Sequence, residues 1–333
     1  MPILILLAAA LAPAGPGAER LFGDWAVACD NVKRCEATAL MPESWSGDEA
    51  PAMTVARDAG PGGAVTVTLT PVTKAGGIID LLIDRRLMGS GTMREGSITL
   101  TGGTAEGLVR AMASGRGLTL RSGRRTLATL GLNGSAAALR YIDEQQGRIG
   151  GVTALVARGM KPAAVVPAGK AVPRVAAVRP GAGKAAVLSA AQTGPLRQQA
   201  GCADFTAAPE LKPEFHRLDR RSTLVTIPCV SGAYQSSLAL FVVTDGRIAP
   251  APFDIAPPTN GMDPVPWLTE PEWDAKAGTL SSHAKGRGLG DCGVDQSWVW
   301  DGTRFRMTRY DGLDACRLSG EWLTRYRALP VYR

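Results

Sequence analysis

Short apolar runs separated by Gly, Pro, Asn and Asp recur along the chain, the pattern of strands and tight turns rather than of long helices. The clearest run is Val65-Thr66-Val67-Thr68-Leu69, which alternates apolar and polar positions as a half-buried strand does. Similar runs predict strands over Asp24–Asp30, Arg34–Met41, Ala52–Arg57, Ala64–Thr70 and Gly77–Ile83, and a hairpin of Gly117–Arg121 and Arg125–Leu130 turning near Ser122-Gly123. Two segments carry helical spacing instead. Thr104–Ser114 opens on Thr104 as N-cap with Leu108 and Met112 on a common face, and a second helix is capped by Ser135, turns Leu139 and Ile142 inward and ends at Gly147. Residues 19–159 are therefore expected to form a β-sandwich-like sheet crossed by two short helices.

The pattern changes past residue 200. Residues 201–333 hold 14 of the 18 aromatics, which concentrates core-building side chains there. Asp-Gly pairs at Asp245-Gly246, Asp301-Gly302 and Asp311-Gly312 punctuate the apolar runs as hairpin turns do. With Asp301-Gly302 as a two-residue turn, Trp300 faces Thr303 and Trp298 faces Phe305. Trp298, Trp300, Phe305 and Met307 then share one face, with Arg304 and Arg306 on the other. A second tight turn at Asp311-Gly312 would bring Phe305 opposite Leu318. The fold class expected is mainly β with minor α, in two β-rich domains, the second an antiparallel meander with Asp-Gly hairpins.

Between them, residues 160–200 contain no acidic or aromatic residue, are rich in Pro and Ala, and show neither strand alternation nor a clean helical stripe, so they read as a flexible linker. Composition sharpens this reading. Lys161, Lys170, Arg174, Arg179, Lys184 and Arg197 account for six of the formal net charge of +7, leaving the flanking regions together near neutral. Basic residues set in Pro/Ala without interleaved aromatics do not make a nucleic-acid site, and none is expected. A weak attraction to the anionic cell envelope is the functional use such a segment allows, beside the plainer one of a solubilised spacer.

The opening MPILILLAAALA has the length of a secretory apolar core and is too short to span a bilayer, so residues 1–18 read as a signal peptide cleaved near Ala14 or Ala18, with no transmembrane anchor in the mature protein. Cysteine usage points the same way. Six cysteines, none in a C-x-x-C pair, accompany only two histidines, His216 and His283, so neither a thioredoxin-type motif nor a standard zinc site can be built by spacing. Six cysteines allow 15 pairings; two lie near the N-terminus and four beyond residue 200, so pairing within each domain is expected, as Cys29 with Cys35, Cys202 with Cys229 and Cys292 with Cys316, which suits an oxidising periplasm.

The stretch Phe22-Gly23-Asp24-Trp25-Ala26-Val27-Ala28-Cys29-Asp30-Asn31 with Cys35 beyond it, and later Ala137-Ala138-Leu139-Arg140-Tyr141-Ile142-Asp143-Glu144-Gln145-Gln146-Gly147-Arg148, resembles the Gram-negative secreted family called domain of unknown function 1176. Gly290-Asp291-Cys292-Gly293, the Trp298–Phe305 hairpin and Cys316-Arg317 agree with the same family. The first domain is also distantly similar to the invasion-associated locus B family, through its Trp-x-x-x-Cys opening and its late small-residue helix. The first resemblance implies compartment and architecture and carries over no catalytic residue.

Candidate chemistry is sparse. Asp143, Glu144 and Arg148 form the most polar segment within the resemblance and are candidates for a recognition edge, although a helix end with local ion pairs explains them as well. Trp267 and Trp273 are candidates for a sugar platform, with Glu270, Glu272 and Asp274 as carboxylates beside it. Ser282-His283-Ala284-Lys285 matches an S-x-x-K spacing, but the flanking glycines favour a loop or strand end over the helix that motif needs. No metal ligand set and no cofactor motif is present, and none of the Asp-Gly pairs sits in a calcium-binding loop pattern. The resulting expectation is a non-enzymatic, envelope-associated periplasmic binding protein whose partner is an unknown envelope protein or cell-wall component. The alternative is a hydrolase of envelope glycan or peptide.

Overall fold

A computed structural model describes residues 15–47, 49–72, 76–202, 211–258, 265–319 and 321–333; most of the expected signal segment lies outside them. In the N-terminal half, β1 (Arg20–Phe22), β2 (Trp25–Cys29), β3 (Cys35–Ala39), β4 (Ala52–Arg57), β5 (Val65–Thr70), β6 (Gly77–Ile83), β7 (Arg86–Arg94), β8 (Ser97–Thr101), β9 (Gly117–Ser122) and β10 (Arg125–Gly131) join in one antiparallel sheet, ordered 1-2-3-4-5-8-7-6-9-10. Strand β5 alternates as its sequence demands, with Val65, Val67 and Leu69 buried and the threonines between them half-exposed. One face of the sheet covers α1 (Gly102–Met112) and α2 (Ser135–Gln145). Leu108, Val109 and Met112 of the first and Leu139 and Ile142 of the second meet Val55, Val67, Ile79 and Leu81 in a common core.

Helix starts differ from the sequence reading. Thr101, not Thr104, occupies the N-cap of α1. Gly134, not Ser135, caps α2 at φ 90°, and a Cβ there would fall 1.8 Å from the Phe22 carbonyl oxygen, so only glycine fits. Ser135 is already helical and its hydroxyl donates to the Met112 carbonyl at 3.1 Å, tying the two helices together.

The C-terminal half comprises β11 (Arg174–Ala177), α3 (Ala190–Gln199), β12 (Glu214–Arg217), β13 (Ser222–Ser231), β14 (Ser236–Thr244), β15 (Arg247–Pro250), β16 (Trp267–Thr269), β17 (Pro271–Asp274), β18 (Thr279–Lys285), β19 (Gly293–Trp300), β20 (Phe305–Leu313), β21 (Leu323–Arg327) and β22 (Leu329–Tyr332). Strands β12 to β15 form one antiparallel sheet, with β16 also pairing β14, and β17 to β21 form a second; β11 and β22 make a parallel ribbon. The protein is thus mainly β with three α-helices among the described residues. The three disulfides are those expected: Cys29–Cys35 across β2 and β3, Cys202–Cys229, and Cys292–Cys316.

Residues 160–200 do not behave as the featureless spacer their composition predicted. Val175 and Ala177 of β11 are buried among Trp298, Trp300, Phe305 and Tyr326. Helix α3 opens on a Ser189/Gln192 capping box and buries Leu196 against Val225, Ile227 and Phe241. The pattern hid this because the partner of β11 is β22, with Arg174 beside Leu329. Local periodicity carries no trace of so distant a pairing.

The hairpin readings divide. Asp245 (φ 48°) and Gly246 (φ 81°) form the expected two-residue turn, with Thr244 opposite Arg247. At Asp301 the loop is two residues longer than expected. Trp300 pairs with Phe305, Val299 with Arg306 and Trp298 with Met307, and a bulge follows, after which Ser297 pairs with Arg309. The cause is the Asp301 carboxylate, which accepts hydrogen bonds from the Thr303 and Arg304 amides at 2.8 and 2.9 Å and so stabilises a wider loop. Trp298, Trp300, Phe305 and Met307 are nonetheless all buried together as expected. Asp311-Gly312 is not a turn: β20 runs straight through it, so Phe305 does not meet Leu318 across that turn.

The two halves are packed together. Ala26, Ala28 and Leu40 on the outer side of the first sheet meet Leu313 and Leu323. Arg317 donates to the carbonyls of Met41 (2.8 Å) and Gly23 (3.0 Å) and pairs with Asp24, while Glu36 accepts the Thr324 amide at 2.8 Å.

Candidate functional site

The residues singled out by sequence do not come together. Asp143 is fully buried near the end of α2, and its carboxylate accepts hydrogen bonds from the amides of Leu155, Val156 and Ala157 at 2.8, 2.9 and 3.1 Å. Arg148, equally buried, donates to Gln146 Oε1 (2.7 Å), Thr153 Oγ1 (3.1 Å) and the carbonyls of Gly60 (2.5 Å) and Asp58 (3.3 Å). Their polarity is spent on the protein's own backbone, holding the 147–161 loops onto the sheet; Glu144 alone of the three is exposed.

Trp267 and Trp273 are half-buried on β16 and β17 and pack against different cores, so they build no common platform. Glu270 accepts the Ser236 amide. Asp274 accepts the Ala277 and Lys276 amides at 2.9 and 2.8 Å, and these bonds hold its carboxyl below the usual carboxylate range, the opposite of what a general acid needs. Ser282 lies in β18 with its hydroxyl on the Thr269 carbonyl at 2.7 Å, and strand alternation puts Lys285 on the other face.

A different cluster emerges where the buried end of the 160–200 segment meets the second half. Asp219, between β12 and β13, accepts the amides of Arg221 (2.8 Å) and Ser222 (2.7 Å) through one oxygen and Trp300 Nε1 (2.6 Å) through the other. This pins a tight turn that projects Arg220 and Arg221 into solvent. The facing wall is Val178 to Gly181, fixed by the Val178 amide on the Trp300 carbonyl at 2.8 Å. Arg179 stands over the Tyr332 ring, 4.4 Å from its centre, a cation–π contact that leaves its donors free for a ligand. Arg217 donates to the Lys184 and Arg220 carbonyls at 2.8 and 3.2 Å and stitches the walls together. The result is a cleft of about 610 Å³ carrying Arg179, Arg220, Arg221 and Arg333.

Electrostatics sets this cleft apart from the larger one of about 660 Å³ between the halves, which also contains three arginines, Arg34, Arg309 and Arg327. There each guanidinium already has a carboxylate: Arg34 has Glu36 and Asp58, Arg309 has Asp311, and Arg327 has the buried Asp30. In the 610 Å³ cleft, Arg221 pairs with Asp245, whereas Arg179, Arg220 and Arg333 make no ion pair among the described residues. Asp219 also lines the cleft, with its carboxylate engaged by the Arg221 and Ser222 amides and the Trp300 indole. The cleft therefore presents unbalanced guanidinium charge together with the Ser222 and Thr244 hydroxyls.

Sequence reasoning counted Arg179 among linker charges and gave no role to Arg220, Arg221 or Arg333. The available signal was Asp219-Arg220-Arg221-Ser222, an Asx-type turn carrying two adjacent arginines.

Fold and cleft define a β-rich, disulfide-bonded protein with an arginine-lined groove on its C-terminal half. The chain belongs to the DUF1176 family of proteins of unknown function, whose model matches residues 19–329 and so takes in Arg179, Arg220 and Arg221. It is 31% identical over 332 residues to "Uncharacterized protein YpfG" of Escherichia coli (strain K12), an alignment spanning 93% of this chain and 92% of that one. No solved structure matches it.

Proposed function

We propose that this is an exported, envelope-associated binding protein whose ligand is anionic. The carrying observation is the cleft of Arg179, Arg220, Arg221 and Arg333, in which three guanidiniums lack a carboxylate partner among the described residues. Guanidinium forks match phosphate and carboxylate oxygens bidentately, and the backbone that holds them is already fixed by Asp219 and Arg217. Export is supported by three disulfides, which persist in oxidising compartments, and among the described residues no helix is long and apolar enough to cross a membrane. Cleavage after Ala14 would leave Gly17 to bond Arg325, whose carbonyl it meets at 2.8 Å.

Titration calorimetry with inorganic phosphate and with anionic cell-wall fragments tests the reading. The wild type should bind, more weakly as salt rises, and the double substitution Arg220→Gln/Arg221→Gln should weaken binding by at least about tenfold, since charge-assisted hydrogen bonds contribute ~1.5–3 kcal/mol each. Equal binding by wild type and double variant would sink it.

A further inference from the structure

The arginine cleft does not end at Arg221. A second stretch of about 530 Å³ adjoins it, with Arg221 and Thr244 common to both. The β19–β20 loop contributes Gly302 to the first and Thr303 to the second. The wall chemistry changes along the way. Beyond Arg221 the accessible apolar lining is Ala249, Pro250 and Pro252 at and just past strand β15, backed by the buried Val242 and Trp300, and Asp245 and Arg247 also border it. One charged end and one apolar trough lie end to end, each within the ~300–1,000 Å³ of small-molecule sites.

The walls are held in advance. Asp301 fixes the loop through the Thr303 and Arg304 amides, and Arg306 ties the base of that loop to Asp254 at 2.8 Å. Trp300 is fixed through its indole N–H on Asp219, the residue that also sets the Arg220-Arg221 turn. Head site and trough thus share a single polar pin.

Resting on the reading of the groove as an anion site, we infer that the ligand is an amphiphilic anion, with a phosphate or carboxylate head held by Arg179, Arg220 and Arg221 and an alkyl or comparably apolar body lying across Ala249, Pro250 and Pro252. A small inorganic anion would leave the trough empty. A neutral glycan would leave the guanidiniums unanswered, whereas an acyl chain ending in an anion answers both. Free amphiphile and membrane lipid share this chemistry, and the trough, a groove on the second half rather than a protruding apolar face, suits a single extracted molecule.

The test is a homologous series on the full-length exported protein: methyl, butyl and octyl phosphate as dissolved monomers, octyl glucoside as the uncharged control, and vesicles of anionic phospholipid. Affinity should climb from methyl to octyl phosphate by about two- to fourfold per methylene laid in the trough, following ~0.8 kcal/mol for each fully buried CH₂. Ala249→Glu, at an exposed position of β15, should abolish that climb and leave methyl phosphate unaffected. Arg220→Gln should weaken every phosphate alike. Equal affinity for methyl and octyl phosphate overturns the amphiphile and leaves the anion site standing; no binding of any phosphate overturns both. Octyl glucoside binding as tightly as octyl phosphate removes the head from the recognition. Binding to vesicles without any to monomers shows a surface interaction and overturns the single-molecule groove.

Discussion

Replacing Asp143 by alanine should be among the most damaging single changes in the N-terminal half, although the residue touches no cleft. Its two carboxylate oxygens satisfy three amides, those of Leu155, Val156 and Ala157, at a fully buried position. Each buried amide stripped of its acceptor costs ~1–3 kcal/mol. The three share one loop and are not additive, so a total of about 3–5 kcal/mol is expected after partial relaxation. Arg148 adds to the loss, because its proton is held against a burial penalty partly through the Asp143 charge. For a region of this size that corresponds to a drop of roughly 10–15 °C in the melting transition. Urea unfolding followed by circular dichroism gives the magnitude, and hydrogen exchange across residues 147–161 gives the location. A loss below about 1 kcal/mol, or exchange accelerated elsewhere and unchanged in that loop, would refute the view that Asp143 and Arg148 act as loop clamps and would return them to the list of recognition residues.

Three further outcomes are expected. Limited trypsin digestion should cut at the exposed Lys170 and Lys184 well before Arg174, whose backbone is paired in the β11–β22 ribbon; equal rates at all three would mean the ribbon does not persist in solution. Removing Cys202–Cys229 should cost about 3.5 kcal/mol and Cys29–Cys35 about 2 kcal/mol, because the closed loops differ in length; denaturant midpoints of the two paired Cys→Ser variants check the order. Burial raises the Glu19 carboxyl, which lies beside Asp314 and accepts its amide. The native state then holds that proton more tightly than the unfolded chain, so the contribution to stability is full below the ordinary glutamate value of 4.5 and is lost as pH rises towards the native value. Glu19→Gln should flatten this decline, and an unchanged pH profile would show that Glu19 is hydrated.

What could be read from sequence was what neighbouring residues decide. The alternation of Val65 to Leu69, the inward faces at Leu108/Met112 and Leu139/Ile142, the Asp245-Gly246 turn and the cysteine pairs all depend on positions near one another in the chain or on simple partition. Strand β7 was missed because Gly89 and Gly91 break its alternation; at Gly91 a side chain would collide with Ile98, 2.3 Å from the Cβ position. The Asp301 loop was misread because a side-chain acceptor widened a turn that its dipeptide predicted to be tight. The arginine groove was invisible for another reason: its walls come from residues 178–181, 219–222, 244, 302 and 333, and no local pattern records that these meet.

The β11–β22 ribbon also constrains the order in which the molecule can be completed. Arg174 to Ala177 find their partners only at Leu329 to Tyr332, and β2 in the first sheet is backed by Leu323 of β21. A chain made amino-end first would therefore have most of its strands in hand while its middle still lacked a neighbour and the outer face of the first sheet was still bare. Contacts this distant in sequence form slowly. Closure becomes a late event set by the last strands to arrive, and loss of only β22 would leave β11 without its partner and Arg179 without the Tyr332 ring it stands over, even though every other strand of the fold had been made.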